Sequence, residues 1–305
     1  MTLEYTPRWP HFTFGGTPNP DLEDSRVVII PAPYDSTASY RPGSRMGPEA
    51  IIDASRNMEL FDIEMGSSPI EIGIHTMTGV EPSRGSPEET IRRIRNVVGE
   101  VLSGGKFPVL LGGEHTVSLG GVGAAAGYAD ELGVLVLDAH CDMRDEYEGS
   151  RYSHACTNRR VNEMVNNMVV AGIRSCSHEE WELIQREELK FFQWSEGDRE
   201  SGLRNLETAL DTAIEIGGEW YLSIDLDVFS PSEMPGVSTP EPSGPLYDDI
   251  LPFLKKFIRR VNLVGMDVVE LTPIEGDVRS QFMAAKLIYK ILAYTFCSRE
   301  RSPGS

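Results

Sequence analysis

From about residue 25 onward the chain alternates short apolar runs with longer amphipathic stretches. Val27-Val28-Ile29-Ile30, Ile70-Glu71-Ile72-Gly73-Ile74, Pro108-Val109-Leu110-Leu111 and Gly133-Val134-Leu135-Val136-Leu137 have the length and continuity of buried strands. Met168-Val169-Val170-Ala171, Leu189-Lys190-Phe191-Phe192, Trp220-Tyr221-Leu222-Ser223-Ile224 and Leu263-Val264-Gly265-Met266 bring the set to roughly eight. Helix starts lie between them. Ser86-Pro87-Glu88-Glu89 supplies an N-cap, a first-turn proline and a capping acid ahead of Ile91, Ile94 and Val98, and Gly47-Pro48-Glu49-Ala50 opens in the same way. A last helix is expected from about Ser280 to Cys297, before a polar tail at 298–305, while the Pro-rich residues 1–24 read as irregular. Strand–helix alternation without a break in composition predicts an α/β, three-layer α-β-α architecture. One mainly parallel sheet of roughly eight strands would lie between helices, within a single domain over residues 1–305. Ligands in such sheets bind beyond the carboxyl ends of the strands.

Composition narrows the class of partner. Among 305 residues, 28 Lys and Arg stand against 47 Asp and Glu, a net charge of −19 that repels phosphate backbones and argues against nucleic acid. Most of these acids belong to solvated helix faces and name no substrate. The four cysteines (Cys141, Cys156, Cys176, Cys297) form no CxxC pair and follow no basic-then-apolar leader, so a reducing compartment is expected. No window reaches the roughly 18 apolar residues of a membrane span. A cytoplasmic protein without a membrane partner is the expectation.

Candidate chemistry gathers just after the apolar runs. Asp138, His140 and Asp142 follow the run 133–137, and Asp225 and Asp227 follow 220–224. Side chains two apart on a strand share a direction, so each cluster aims at one point. Carboxylates packed this closely repel, and a divalent cation is the simplest neutralising partner. A third strand end carries Gly112-Gly113-Glu114-His115. Two histidines and four aspartates exceed one small cation's needs, whereas two ions about 3.5–4 Å apart can share bridging carboxylates. Mostly oxygen donors with some imidazole favour Mn²⁺ over Zn²⁺, and two Mn²⁺ per chain are expected. A single DxD after a strand is ordinarily a turn or cap; three motifs at three strand ends reverse that reading. Cys141 alternates away from its neighbours and should pack under the site. Gly121 to Gly127 imitates a dinucleotide fingerprint, but lies too far past its strand and reads as helix packing.

Gly112-Gly113-Glu114-His115, Asp138-Ala139-His140-Cys141-Asp142, Ser223-Ile224-Asp225-Leu226-Asp227 and Asp267-Val268-Val269-Glu270 resemble the signature blocks of the arginase/agmatinase (ureohydrolase) family. The resemblance runs from about Ile29 to Tyr294, includes residues 42–51, and departs at Thr116, where the family usually has serine. It implies one manganese on His115, Asp138, Asp142 and Asp225, and a second on Asp138, His140, Asp225 and Asp227, with a bridging hydroxide that attacks a guanidinium carbon. Catalytic roles are implied for Glu270, which would hold the guanidinium, Asp142, which would pass a proton to the leaving amine, and His154, which would shuttle protons. Thr239 and Glu241 match a loop lining the substrate pocket. Asp145, Glu146 and Glu148 would repel a carboxylate tail, and the stretch from Asp142 to Cys156 is most similar to agmatinases. The implied reaction is hydrolysis of agmatine to putrescine and urea in a trimer or hexamer. N1-aminopropylagmatine, guanidinobutyrate or arginine stays open as the small guanidinium substrate, as does a non-catalytic polyamine-binding scaffold.

Overall fold

A computed structural model describes residues 11–297. Eight strands form one sheet: β1 (Val27–Ala32), β2 (Ile74–Thr76), β3 (Phe107–Gly112), β4 (Leu132–Leu137), β5 (Asn167–Ile173), β6 (Lys190–Gln193), β7 (Glu219–Asp225) and β8 (Asn262–Val269). Their order is β2-β1-β3-β8-β7-β4-β5-β6, and every pairing is parallel. The helices are α1 (Gly47–Ser55), α2 (Pro87–Ser103), α3 (Ser118–Tyr128), α4 (Thr157–Met164), α5 (His178–Arg186), α6 (Arg199–Ile216), α7 (Tyr247–Ile258) and α8 (Arg279–Phe296).

Alternation along the strands divides the apolar core in two. Val27, Val109, Leu135, Val169, Leu222 and Met266 point to one face, where α1, α6, α7 and α8 pack; Val28, Leu110, Val134, Val170 and Tyr221 point to the other, under α2 through α5. This is the three-layer fold expected from the sequence. The glycines of α3 let it approach closely: the Tyr221 hydroxyl occupies the space that a side chain at Gly121 would need. Ser86 caps α2 by accepting from the Glu89 amide at 3.1 Å.

One strand was misplaced by the pattern of apolar residues. Pro69–Ile72 forms a 3-10 turn, Gly73 takes φ 79°, and β2 begins only at Ile74. Proline at the first position of a turn and a left-handed glycine end the extended stretch that alternating Ile70, Ile72 and Ile74 implied. Residues 11–24 have turns and bends without a strand or helix; the rest of the irregular opening, 1–10, and the tail 298–305 lie outside the described residues.

Sheet register sets the site. β3, β8, β7 and β4 are the four central strands, with Leu111 beside Val268, Asp225 beside Val269, and Leu137 beside Ile224. Gly113, Glu270, Asp225 and Asp138 therefore reach the carboxyl edge at nearly the same height. The Glu270 amide donates to the Gly113 carbonyl at 2.7 Å, which locks two of these ends together.

Candidate metal centre

The edge that the four strands share collects the candidate ligands into two groups with one residue in common. His115, Asp138 and Asp142 form the first, and Asp138, His140 and Asp227 the second, with ligand atoms in each group within 4.8 Å of one another. His115 Nδ1 lies 3.3 Å from Asp138 Oδ2, 3.1 Å from Asp142 Oδ2 and 3.4 Å from Asp225 Oδ2. His140 Nδ1 lies 2.8 Å from Asp227 Oδ2 and 3.8 Å from Asp138 Oδ1. Asp225 thus faces the first group through His115 and meets the second through the Asp227 amide, which donates to its Oδ1 at 2.9 Å. All but His140 are buried.

Backbone and side-chain donors hold these carboxylates in place. The His140 amide donates to Asp138 Oδ1 at 2.6 Å, the Ala139 amide to Asp227 Oδ1 at 3.1 Å, and Asn158 Nδ2 to Asp138 Oδ2 at 3.3 Å. Asp142 and Glu270 both adopt left-handed backbone, at φ 50° and φ 66°. Non-glycine residues take that conformation at a cost, and here it turns two carboxylates toward one point. Gly113 has no alternative residue: a Cβ would collide with the Tyr34 carbonyl oxygen.

The electrostatics fit a cationic guest. Burial first, then Asp227 and Asp138, push the Asp225 carboxyl well above the ordinary carboxylate range. Burial and Asp138 raise Asp142 to about 7, and burial raises Glu270 to about 7 even though Ser238 and the His115 amide donate to it. Burial opposes the charged form of both histidines, yet Asp138 and Asp142 raise His115, and Asp227 raises His140, well above the usual imidazole value. Asp227 is also penalised by burial, but His140 outweighs that and holds it at about 2. With protons as the only counter-charge, the acids compete and some must stay neutral. A pair of divalent cations would let all of them ionise, and the mixed oxygen and imidazole donor set suits such ions.

Both histidines have an outer partner. His115 Nε2 lies 3.3 Å from Ser223 Oγ, which donates to the buried Asp267 Oδ1 at 2.7 Å. With its hydroxyl proton given to Asp267, Ser223 accepts from Nε2–H, which leaves Nδ1 as the ring nitrogen that faces the carboxylates and would bind a cation once deprotonated. His140 Nε2 meets Glu241 Oε1 at 3.3 Å, so Glu241 sits behind this imidazole and outside the cavity wall. Thr239 does line the cavity, with its hydroxyl 3.4 Å from Asp227 Oδ2.

A cavity of about 280 Å³ opens above this floor. Glu270 lies at its base, where its Oε1 accepts from the His115 amide at 2.6 Å. His154 stands on the wall. Its amide donates to Thr37 Oγ1 at 3.0 Å, its Nε2 lies 3.2 Å from Ser39 Oγ, and burial lowers its pKa below the usual imidazole value. Thr37 in turn donates its amide and hydroxyl to Glu114 at 2.8 and 2.7 Å. Glu114 is fully buried and raised to about 8 by that burial. Sequence reading missed Ser39 on the wall and Thr37 and Glu114 behind His154, since nothing in 37–39 signals its contact with a loop more than a hundred residues away.

The outer wall differs from expectation in two respects. Asp145 turns outward, where Arg160 and Arg151 reach it at 2.6 and 3.1 Å, and neither it nor Glu146 or Glu148 lines the cavity. Arg144 and Glu180 line it instead, 3.8 Å apart, with the Arg144 guanidinium 5.0 Å from the centre of the Tyr147 ring. The acids invoked to explain an amine-bearing tail are therefore not the ones beside it. Second, Cys141 and Cys176 are joined in a disulfide, Cα atoms 5.3 Å apart, a pairing that the lack of a CxxC spacing and the expected reducing compartment did not suggest. Thirty-five residues separate them in sequence, but β4 and β5 are parallel neighbours and their following loops run side by side. Cys141 is buried under the site as expected; Cys156 and Cys297 are free. Arg174, also unforeseen, donates to six backbone carbonyls (Gly172, Asp227, Val228, Phe229, Glu241 and Pro242) and ties the loops after β5 and β7 to 239–242. Among the described residues no helix is long and apolar enough to cross a membrane.

Comparison with known proteins agrees with this geometry. The family model described as Arginase family matches residues 25–294. An N(1)-aminopropylagmatine ureohydrolase of Synechocystis sp. is 36% identical over 277 residues, covering 89% of each chain, and one of Thermus thermophilus is 38% identical over 275 residues, covering 90% of this chain and 92% of its own. The crystal structure of the agmatine ureohydrolase of Thermoplasma volcanium superposes with a TM-score of 0.80 at 30% identity, covering 90% of this chain and 92% of that one.

Proposed function

Because the chain belongs to the arginase family, a group of ureohydrolases that depend on a binuclear metal centre, we propose that it hydrolyses a linear aminoalkyl guanidine to urea and the free polyamine. N1-aminopropylagmatine stands first and the shorter agmatine second, an order supported by the names of the two relatives above. The observation that carries the reading is the pair of histidine–carboxylate groups sharing Asp138 at the floor of a cavity that also holds Glu270.

In this reading His115, Asp138, Asp142 and Asp225 would hold the first ion, and Asp138, His140, Asp225 and Asp227 the second, with Mn²⁺ favoured by the donor set. Bound there, two divalent cations supply the Lewis acidity that makes water a nucleophile near neutral pH. The chain's own residues do the rest. Glu270, buried and aimed into the cavity, accepts paired hydrogen bonds from the planar guanidinium and orients its carbon toward the floor. Asp142, on the cavity lining with its Oδ2 3.1 Å from His115 Nδ1, takes the proton released by the attacking water and gives it to the departing amine nitrogen as the C–N bond breaks. His154, its pKa held low by burial, exchanges protons with solvent through Ser39 at the mouth. The balance closes: an alkylguanidinium and one water yield an alkylammonium and neutral urea.

A second reading has one observation in its favour. Arg144 on the cavity wall could pair with a carboxylate tail, as in guanidinobutyrate. A panel of aminopropylagmatine, agmatine, guanidinobutyrate and arginine, scored by urea released with added Mn²⁺, decides between them. The two amines are expected to lead by at least tenfold in kcat/KM. A guanidino acid in first place would replace the substrate class, and no urea from any of them would end the hydrolase reading.

A further inference from the structure

The disulfide joins the loop that carries three candidate ligands to the wall of the cavity, and the chemistry above does not use it. Cys141 lies between His140 and Asp142 and is buried; Cys176 is exposed and lines the cavity. The same two loops are also held by hydrogen bonds. The Arg174 and Ser175 amides donate to the Ala139 carbonyl at 2.9 and 3.0 Å, and the Cys141 amide donates to the Ser175 carbonyl at 3.2 Å. The Glu180 carboxylate spans them as well, accepting from the Met143 amide at 2.8 Å and the Ser177 amide at 2.9 Å. Loss of the covalent link therefore leaves a folded but looser pair of loops, not an unfolded one.

We propose that Cys141–Cys176 is a reversible thiol–disulfide site through which a dithiol reductant weakens the hold of residues 138–142 on metal. The proposal rests on the metal-centre reading above for its consequence, though not for its chemistry. Accessibility dictates the direction of attack. A thiolate of the dithiol attacks the exposed Cys176 sulfur, the S–S bond breaks, and Cys141 leaves and takes up a proton. The reductant's second thiol then attacks the mixed disulfide, which releases Cys176 as a thiol and the reductant as its own cyclic disulfide. Two electrons and two protons pass from the dithiol to the protein, and no other reactant is needed. Asp138, His140 and Asp142 then depend on hydrogen bonds alone to stay aligned with Asp225 and Asp227. Ligand alignment of this kind commonly governs retention of a metal.

The experiment uses the full chain loaded with Mn²⁺. Air-equilibrated protein is treated with dithiothreitol under native conditions, freed of it, and compared with untreated protein and with Cys176→Ala given the same treatment. Peptide mapping after alkylation in denaturant should show Cys141 and Cys176 blocked before reduction and alkylated after it. Release of Mn²⁺ to a chelator should be about tenfold faster after reduction, should return to the starting rate on re-oxidation, and should not respond to dithiothreitol in Cys176→Ala. If the protein holds no Mn²⁺, the metal-centre reading fails separately, and the decision passes to amide exchange, which reduction should accelerate at Cys141 and Ser175. Cysteines that alkylate freely in untreated protein, a bond that resists native reduction, or unchanged metal release and amide exchange would each overturn the proposal.

Discussion

The floor of the cavity and its rim are built on different principles. Asp138, Asp225, Glu270 and His115 stand at the ends of four adjacent strands whose register brings them to one level, and the peptide backbone itself supplies most of the hydrogen bonds that hold them. Arg144, Tyr147, His154 and Cys176 come from the connections after β4 and β5 and Glu180 from the first turn of α5, and their positions depend on side-chain contacts, such as Arg144 over Tyr147 and Glu180 across two amides. The floor is made by sheet topology and the rim by tertiary packing. Chemistry and selectivity can then be altered separately, which gives the comparison testable content.

The largest effect should come from the residue that both groups of ligands share. Asp138→Ala removes a donor from each, and kcat/KM is expected to fall by about 10³-fold or more, with metal stoichiometry reduced toward zero. Elemental analysis beside urea release checks both. A variant retaining two tightly bound ions would break the description of the floor as a shared-carboxylate site.

How far the sequence reveals each region follows from the same contrast. The floor was legible because period-2 alternation after an apolar run tells which side chains share a direction, so Asp138, His140 and Asp142 could be grouped without coordinates. The central strands were legible as continuous apolar runs, the mark of strands buried on both faces. β2 was not, because Pro69 and Gly73 interrupt a pattern that the isoleucines alone continue. The rim was opaque where contacts cross the fold. Thr37 meeting Glu114, Cys141 meeting Cys176 and Glu241 meeting His140 Nε2 follow from which loops are neighbours, and no local spacing encodes that. The acids of 145–148 misled because composition gives a loop's charge without its direction.

A smaller loss should follow from the support behind the floor. Asp267→Asn weakens the acceptor that keeps the Ser223 hydroxyl turned away from His115 Nε2, and a 10- to 100-fold loss of affinity is expected for the ion nearest His115. Titration calorimetry with Mn²⁺ should resolve one weakened site and one near its original affinity. Equal weakening of both would mean that Asp267 acts through the sheet, not through the imidazole.

Next in size is a pH effect on the metal-free chain. Asp142 and Glu270, each held at about 7 chiefly by burial, bind protons in the folded state that the unfolded chain releases near pH 4. Their contribution to stability is whole below about pH 4 and is lost as pH rises toward 7. His115 and His140, raised well above 6.5 against the opposing effect of burial, add stability that is present below that value and lost as pH rises through their folded values. Asp227, held at about 2, works the other way but only below about pH 4. The Tm of metal-free protein should therefore fall by about 3–6 °C between pH 5 and 8, while saturating Mn²⁺ should raise Tm more at pH 8 than at pH 5. A metal increment independent of pH would mean that protons and cations do not compete for the floor.

The mildest perturbation sharpens the contrast from the rim side. Arg144 is partly exposed and 3.8 Å from Glu180, so the pair contributes little to stability, and Arg144→Ala should leave the fold and both metals intact. Its guanidinium does place a positive charge where a substrate tail would lie. Removing it relieves repulsion of an ammonium tail and withdraws a guanidinium partner on this wall for a carboxylate. KM for aminopropylagmatine and agmatine is expected to fall about 2- to 3-fold, KM for guanidinobutyrate to rise by a similar factor, and kcat to stay level for all three. Because the interaction is screened at the surface, high salt should shrink both shifts. A fall in kcat with KM unchanged would place Arg144 among the groups that act on the guanidinium itself, and the separation of floor from rim would fail at that residue.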